Sequence, residues 1–239
     1  MSRLATVFAL LFFALPARAE QALVAVAANF LAPAEVLARA YEAESGHEIA
    51  LASGATGQIY AQILHGAPYD AFLAADVERP ELLEAQGLAE NRFAYALGRL
   101  AILSIYPDFP ASAGIQSLIN TRFVAIANPD LAPYGRASRE VLLAAGLWDD
   151  LPKAQGQNIG QTFGMVISGN ADAGLVALSM ARQADGVFWT VPAELHAPIQ
   201  QEAVLLIRGK GNLAAEGFLE YLSTEAAMSV IEEFGYDRP

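Results

Sequence analysis

The sequence predicts an α/β fold in two parts. Short apolar runs alternate with segments of helical periodicity along most of the chain, and a glycine stands where most helical segments stop. The helices are too numerous for one sheet, yet no Pro/Gly/Ser-rich linker divides the chain.

Residues 23–27 read as a short buried strand. Residues 31–44 read as a helix with Leu31, Ala34, Leu37, Ala38 and Tyr41 on one face, ending at Gly46. A strand over 48–52 leads to a helix over 58–64 stopped by Gly66, and a strand over 70–75 to a helix over 80–86 stopped by Gly87. Further strands are expected at 100–105, 123–127, 174–178 and 204–207. Further helices are expected at 136–145 (to Gly146), 161–168 (to Gly169) and 214–234. Such alternation implies parallel sheets with helices on both faces. Two sheets joined by crossing strands near 97–105 and 202–207 satisfy the count. The expected division is 20–98 plus 204–239 for the first domain and 99–203 for the second.

Residues 1–19 stand apart. Arg3, the apolar run 4–15 and Ala17-Arg18-Ala19 form the pattern of a secretory signal peptide cleaved after Ala19. The apolar run is too short to span a bilayer, which takes roughly 20 residues. The chain has no cysteine, which excludes disulfides, thiolate metal sites, a cysteine nucleophile and a lipid anchor on an N-terminal cysteine. An exported protein without that anchor is expected in a periplasm. A net charge of −12 argues against nucleic acid and means that an anion must be held by local dipoles rather than by the global field.

In open α/β sheets ligands gather beyond the carboxyl ends of the strands, where helices begin. Four junctions qualify. In Ser53-Gly54-Ala55-Thr56-Gly57, unpaired N–H groups and a hydroxyl meet at a helix start, a neutral-donor site for a small oxyanion. Asn29, in Ala27-Ala28-Asn29-Phe30, either caps a helix or turns its side-chain amide toward a ligand. The loop 128–135 carries Tyr134, either a packed aromatic or a hydroxyl donor. The fourth junction, residues 157–160 (Gln-Asn-Ile-Gly), leads into the helix at 161–168. The ordinary reading of each polar residue here is an N-cap. Arg136, just past Tyr134, reads as a surface residue paired with Glu140 or as a sensor of the anion.

The segments Leu-Val-Ala-Val-Ala-Ala-Asn-Phe (23–30), Gly-Ala-Thr-Gly-Gln-Ile-Tyr-Ala-Gln-Ile (54–63), Gly-Ala-Pro-Tyr-Asp-Ala-Phe-Leu-Ala-Ala-Asp (66–76), Asn-Pro-x-x-Ala-Pro-Tyr-Gly (128–135) and Asn-x-Gly-Gln-Thr (158–162) occur in that order. Together they resemble the periplasmic molybdate-binding proteins of ABC uptake systems, over nearly the whole mature chain. The resemblance implies a type II periplasmic binding fold, two α/β domains with the oxyanion between them. It implies Asn29, Thr56 and Tyr134 as ligand residues, with Ile159, and Ala28 beside it, giving backbone N–H groups. The family's Gly-Ser-Ser-Gly is here Gly-Ala-Thr-Gly, so Ala55 removes one hydroxyl. Other members take a tyrosine from a later strand, where this chain has Ala177, which favours Tyr134.

The implied ligand is molybdate or tungstate, with no cofactor, a metal present only as the oxyanion, a membrane permease as partner, and a monomeric state. Sulfate or another oxyanion is the alternative ligand; an exported enzyme or an adhesion module are the rival classes. Against an enzyme, no Gly-x-Ser-x-Gly, His-Glu-x-x-His or phosphate-loop motif occurs, the three histidines are scattered, and the pairs Asp149-Asp150 and Glu232-Glu233 read as solvated surface.

Overall fold

The computed structural model describes residues 19–239. The expected signal peptide lies outside the described residues, apart from Ala19. In chain order the elements are β1 (Gln21–Ala27), α1 (Leu31–Ser45), β2 (Glu48–Gly54), α2 (Thr56–Leu64), β3 (Ala71–Leu73), α3 (Glu78–Ala85), β4 (Ala89–Gly98), β5 (Leu100–Ser104) and β6 (Val124–Ala127). They continue with α4 (Pro133–Ala144), β7 (Lys153–Gly156), α5 (Ile159–Ile167), β8 (Ala173–Ala177), α6 (Leu178–Ala181), β9 (Val187–Thr190), β10 (Ile199–Leu206), α7 (Leu213–Tyr221) and α8 (Glu225–Glu233). A short 3-10 turn, Ala28–Phe30, joins β1 to α1. The five glycines expected to stop helices, Gly46, Gly66, Gly87, Gly146 and Gly169, all take the left-handed conformation that ends a helix at low steric cost.

Two five-stranded sheets form, in the orders β2-β1-β3-β10-β4 and β7-β6-β8-β5-β9. They are mixed rather than parallel, which corrects the expectation. β1 runs parallel to β2 and β3, and β6 to β7 and β8, but β10 is antiparallel to β3 and β4, and β5 to β8 and β9. The physical reason lies in the crossings. Each antiparallel central strand has just arrived from the other sheet, so no right-handed helical crossover precedes it. Arg99 alone joins β4 to β5, and the chain returns at Ile199, earlier than the expected 204. The polar run Gln200-Gln201-Glu202 conceals the start of β10, although all but Gln200 are buried.

Each sheet carries apolar packing on both faces. Val24, Val26, Leu73 and Leu205 pack toward α1 and α7, while Ala25, Phe72 and Val204 pack toward Ile59 and Leu83. In the second sheet, Ile102, Ile126 and Leu175 face Val141 and Leu142, and Ala101, Ala125 and Val176 face Val166. Residues 214–234 form two helices, not one. The chain breaks at Ser223, and the Thr224 hydroxyl caps α8 by accepting from the Ala227 N–H.

Candidate functional site

The carboxyl ends of β1, β2, β3, β6 and β7 meet at a cleft between the two sheets. Ala27, Ala28, Asn29, Gly54, Ala55, Thr56, Ala75, Ala132, Pro133, Tyr134, Asn158 and Ile159 line a small cavity there, with a volume of about 10 Å³. All four expected junctions therefore come together, and Ala28, Asn29, Thr56, Tyr134 and Ile159 share one small cavity. None of the residues lining it is Lys, Arg, Asp or Glu.

The helices that start here lack ordinary caps. Ala27, Ala55 and Ala132 precede the 3-10 turn, α2 and α4, and none makes a side-chain cap bond. Away from the cleft, Asn212 and Thr224 cap α7 and α8 with their side chains. The first N–H groups of a helix have no intrahelical acceptor, so those of Ala28, Thr56 and Ile159 begin their elements as free donors at the positive end of a dipole. At α5 the cap is real: Asn158 Oδ1 accepts from the Gln161 N–H at 2.9 Å. That bond leaves the first-position Ile159 N–H available.

Two of the lining residues, Thr56 and Tyr134, carry hydroxyls, and each hydroxyl oxygen is approached by a donor. The Ala75 N–H donates to Thr56 Oγ1 at 3.3 Å, and Gln201 Nε2 donates to the Tyr134 hydroxyl oxygen at 3.3 Å. Each oxygen thus accepts one bond, and the Tyr236 hydroxyl is a further hydrogen-bonding neighbour of Tyr134. Thr56 is 1% exposed and Tyr134 1% exposed. The Tyr134 ring packs in the core of the second sheet, and the residue lines the cleft. Burial, reinforced by neighbouring Tyr236 and Tyr95, holds the Tyr134 phenol protonated well above the usual tyrosine range.

Asn29 corrects its expectation. Its side chain is not a cap, and its amide hydrogens are given to Gln201 Oε1 at 2.9 Å and to the Tyr236 hydroxyl at 3.1 Å. The side-chain amide therefore does not turn toward a ligand; the donor left to Asn29 is its backbone N–H. A polar cluster of Asn29, Gln201, Tyr95, Tyr236 and Ser179 lies behind the cleft, fully hydrogen-bonded except for Asn29 Oδ1. Sequence reasoning missed Gln201 and Tyr95, because a buried polar group on a strand carries no periodic signature, and Tyr236, which lies in the irregular segment after α8.

Arg136 is also corrected. It pairs with Glu78 at 3.2 Å and Asp76 at 3.6 Å, across the cleft, while Glu140 accepts from the Ala197 N–H at 2.7 Å. Facing residues on the other sheet draw Arg136 away from its helical neighbour. It lines a neighbouring cavity of about 210 Å³ with Asp76, Glu78 and Glu140, whose carboxylates repel an anion. Asp76 itself is held above the usual carboxylate range, because burial outweighs the attraction of Arg79 and Arg136. The acidic pairs Asp149-Asp150 and Glu232-Glu233 are exposed.

A two-sheet molecule whose chain crosses between the sheets at Arg99 and again just before Ile199, with helix starts around a charge-free cavity, has the architecture of a binding protein. A family model described as bacterial extracellular solute-binding protein matches residues 22–237. The chain belongs to this family. Relatives of this solute-binding protein include the molybdate-binding proteins ModA of Azotobacter vinelandii and Rhodobacter capsulatus. The first is 40% identical, over 99% of this chain and 97% of its own length; the second is 39% identical, over 97% and 94%. The solved structure of the Azotobacter vinelandii periplasmic molybdate-binding protein superposes on the solute-binding protein with a TM-score of 0.87. That match has 36% identity and covers 91% of this chain and 99% of the other. These relatives are binding proteins rather than enzymes, and the type II fold with a cleft between two α/β domains agrees with what the sequence implies.

Proposed function

We propose that this protein captures molybdate, and tungstate with it, and delivers the anion to the permease of an ABC importer, acting in the periplasm as a monomer without catalysis. The observation that carries the reading is that Thr56 and Tyr134, whose hydroxyl oxygens each accept an N–H, line a cavity without charged side chains; in this reading their own protons go to the anion. The backbone N–H groups of Ala28, Asn29 and Ile159 complete a set of neutral donors for a tetrahedral dianion. Each bond to the dianion is charge-assisted and stronger than its neutral counterpart.

Neutral donors also suit release. A buried guanidinium would need its own compensation and would leave an uncompensated charge when the anion departs. A cage of donors discriminates as well: hydrogen phosphate carries an O–H that needs an acceptor, and here it would meet another donor. Cavity size separates molybdate and tungstate from the smaller sulfate. Thermal unfolding of the purified protein with molybdate, tungstate, sulfate or phosphate tests the reading, because a ligand of the native state raises the melting temperature by mass action.

A further inference from the structure

We infer that Gln201 is a positioning residue for the anion site: it fixes the Tyr134 hydroxyl as a donor without touching the ligand. The inference rests on the reading of Tyr134 as a ligand residue. Gln201 is completely buried on β10 in the first sheet, whereas Tyr134 begins α4 beside the second, so their contact crosses from one lobe to the other.

The polarity of this contact is set step by step. The Tyr236 hydroxyl donates to the Asn29 carbonyl at 2.7 Å, the shorter of its contacts, and with its proton there the Ser179 hydroxyl at 3.0 Å is a donor to it. The Tyr236 oxygen then receives Asn29 Nδ2 at 3.1 Å, which fixes the orientation of the Asn29 amide. The same Nδ2 donates to Gln201 Oε1 at 2.9 Å, and the Tyr95 hydroxyl lies 3.0 Å from that oxygen. Gln201 therefore presents Oε1 to Asn29 and Tyr95, and only Nε2 remains to face Tyr134. With an N–H already directed at its oxygen, the phenol cannot donate backward to Gln201 and directs its proton elsewhere.

The seat is completed by Gly98, which pairs with Ile199 where β4 and β10 lead into the crossings. A Cβ on Gly98 would collide with the Tyr134 hydroxyl and come within 2.8 Å of Gln201 Nε2. Both strands that connect the lobes thus contribute to the placement of one ligand hydroxyl, one by a donor and one by an absent side chain.

A double-mutant cycle tests this, with molybdate affinity measured by calorimetry on the purified protein. Gln201→Met keeps the length of the side chain and removes the donor. It is expected to weaken binding roughly tenfold when Tyr134 is present, and less than twofold in the Tyr134→Phe background, where no phenol remains to orient. Equal losses in the two backgrounds, or no loss in either, overturn the role of Gln201 and leave Tyr134 as a ligand. No loss from Tyr134→Phe alone overturns both the role and the reading beneath it.

If Gln201→Met fails to unfold cooperatively, Gly98→Ala takes its place. Its loss of affinity is expected to shrink in the Tyr134→Phe background, where the colliding oxygen is gone; an undiminished loss contradicts the seat. Gln201→Glu gives a readout that a purely structural role would not move. Once ionised, the carboxylate accepts the phenol's proton and repels the dianion, so affinity should fall as pH rises from 5.5 to 8 while the parent protein stays level. A variant whose affinity does not change with pH relative to the parent contradicts the assignment.

Discussion

The backbone N–H of Gly57, in the first turn of α2, donates to the carbonyl of Leu131 on the opposite lobe at 2.9 Å. Glycine leaves room for this approach: a Cβ at position 57 would lie 3.1 Å from that carbonyl and 3.2 Å from the Arg79 guanidinium, both tight contacts. Arg79 Nη2 donates to the Asp130 carbonyl at 3.2 Å, and Arg136 reaches back from α4 to Glu78. These contacts hold the Thr56 turn and the Tyr134 turn together around the cleft.

Arg136 should therefore affect release of the anion without contacting it. Its partner Glu78 is 57% exposed and Arg136 itself 45% exposed, so the pair contributes at most about 1 kcal/mol. Arg136→Ala is expected to weaken molybdate binding by up to about fivefold, chiefly through faster dissociation, with the difference fading as salt rises. Stopped-flow release at two ionic strengths checks this.

Thr56 carries two bonds. Thr56→Val should cost about 1.5–3 kcal/mol of binding free energy, because it removes a donor to a charged acceptor and leaves the Ala75 N–H without its partner. Thr56→Ser keeps the hydroxyl and should retain most of the affinity. Calorimetric titration of both variants separates the hydroxyl from the methyl.

Alkaline stability follows from the buried phenols. Burial raises Tyr236 from 10.0 to about 12, and Tyr95 and Tyr134 rise well above 10.0 for the same principal reason. The native state then holds these protons where the unfolded chain has lost them. Stability is unaffected below pH 10 and falls as pH climbs from about 10 toward the raised values, by ~1.4 kcal/mol per pH unit for each phenol. Urea unfolding between pH 9 and 11.5 should show this decline, with a shallower slope for Tyr134→Phe.

Gly135 supports the Tyr134 turn. A Cβ there would strike the Ala127 carbonyl at the end of β6 and lie 2.8 Å from the Asn128 carbonyl carbon. Both are backbone atoms that cannot rotate away. Gly135→Ala should lower stability by about 1–3 kcal/mol and weaken anion binding together, as seen in thermal unfolding with and without molybdate.

Much of this site was legible because its parts sit at strand-to-helix junctions, where composition changes abruptly. The junctions that hold Thr56 and Ile159 stand out for that reason, and the glycine stops mark the helix ends. What escaped was of two kinds. The strands β4, β7 and β9, all missed, are edges of their sheets. An edge strand is half solvated, and a run such as Lys-Ala-Gln-Gly at 153–156 resembles a loop in composition. The other kind is the polar cluster behind the cleft. Gln201 lies in a run of three polar residues, and nothing in sequence spacing shows that Tyr95, Tyr236 and Asn29 converge on it from distant segments. Asn29 was singled out for its junction, but only the fold shows that its amide faces inward.

The central claim is that the cleft holds a tetrahedral dianion on neutral donors. Isothermal titration of the purified protein with molybdate, with Tyr134→Phe and Thr56→Val beside it, tests this most directly. The account predicts tight one-to-one binding of molybdate and tungstate, much weaker binding of sulfate, none of phosphate, and a loss in each variant. Absence of molybdate binding, or molybdate affinity unchanged in both variants, would contradict it.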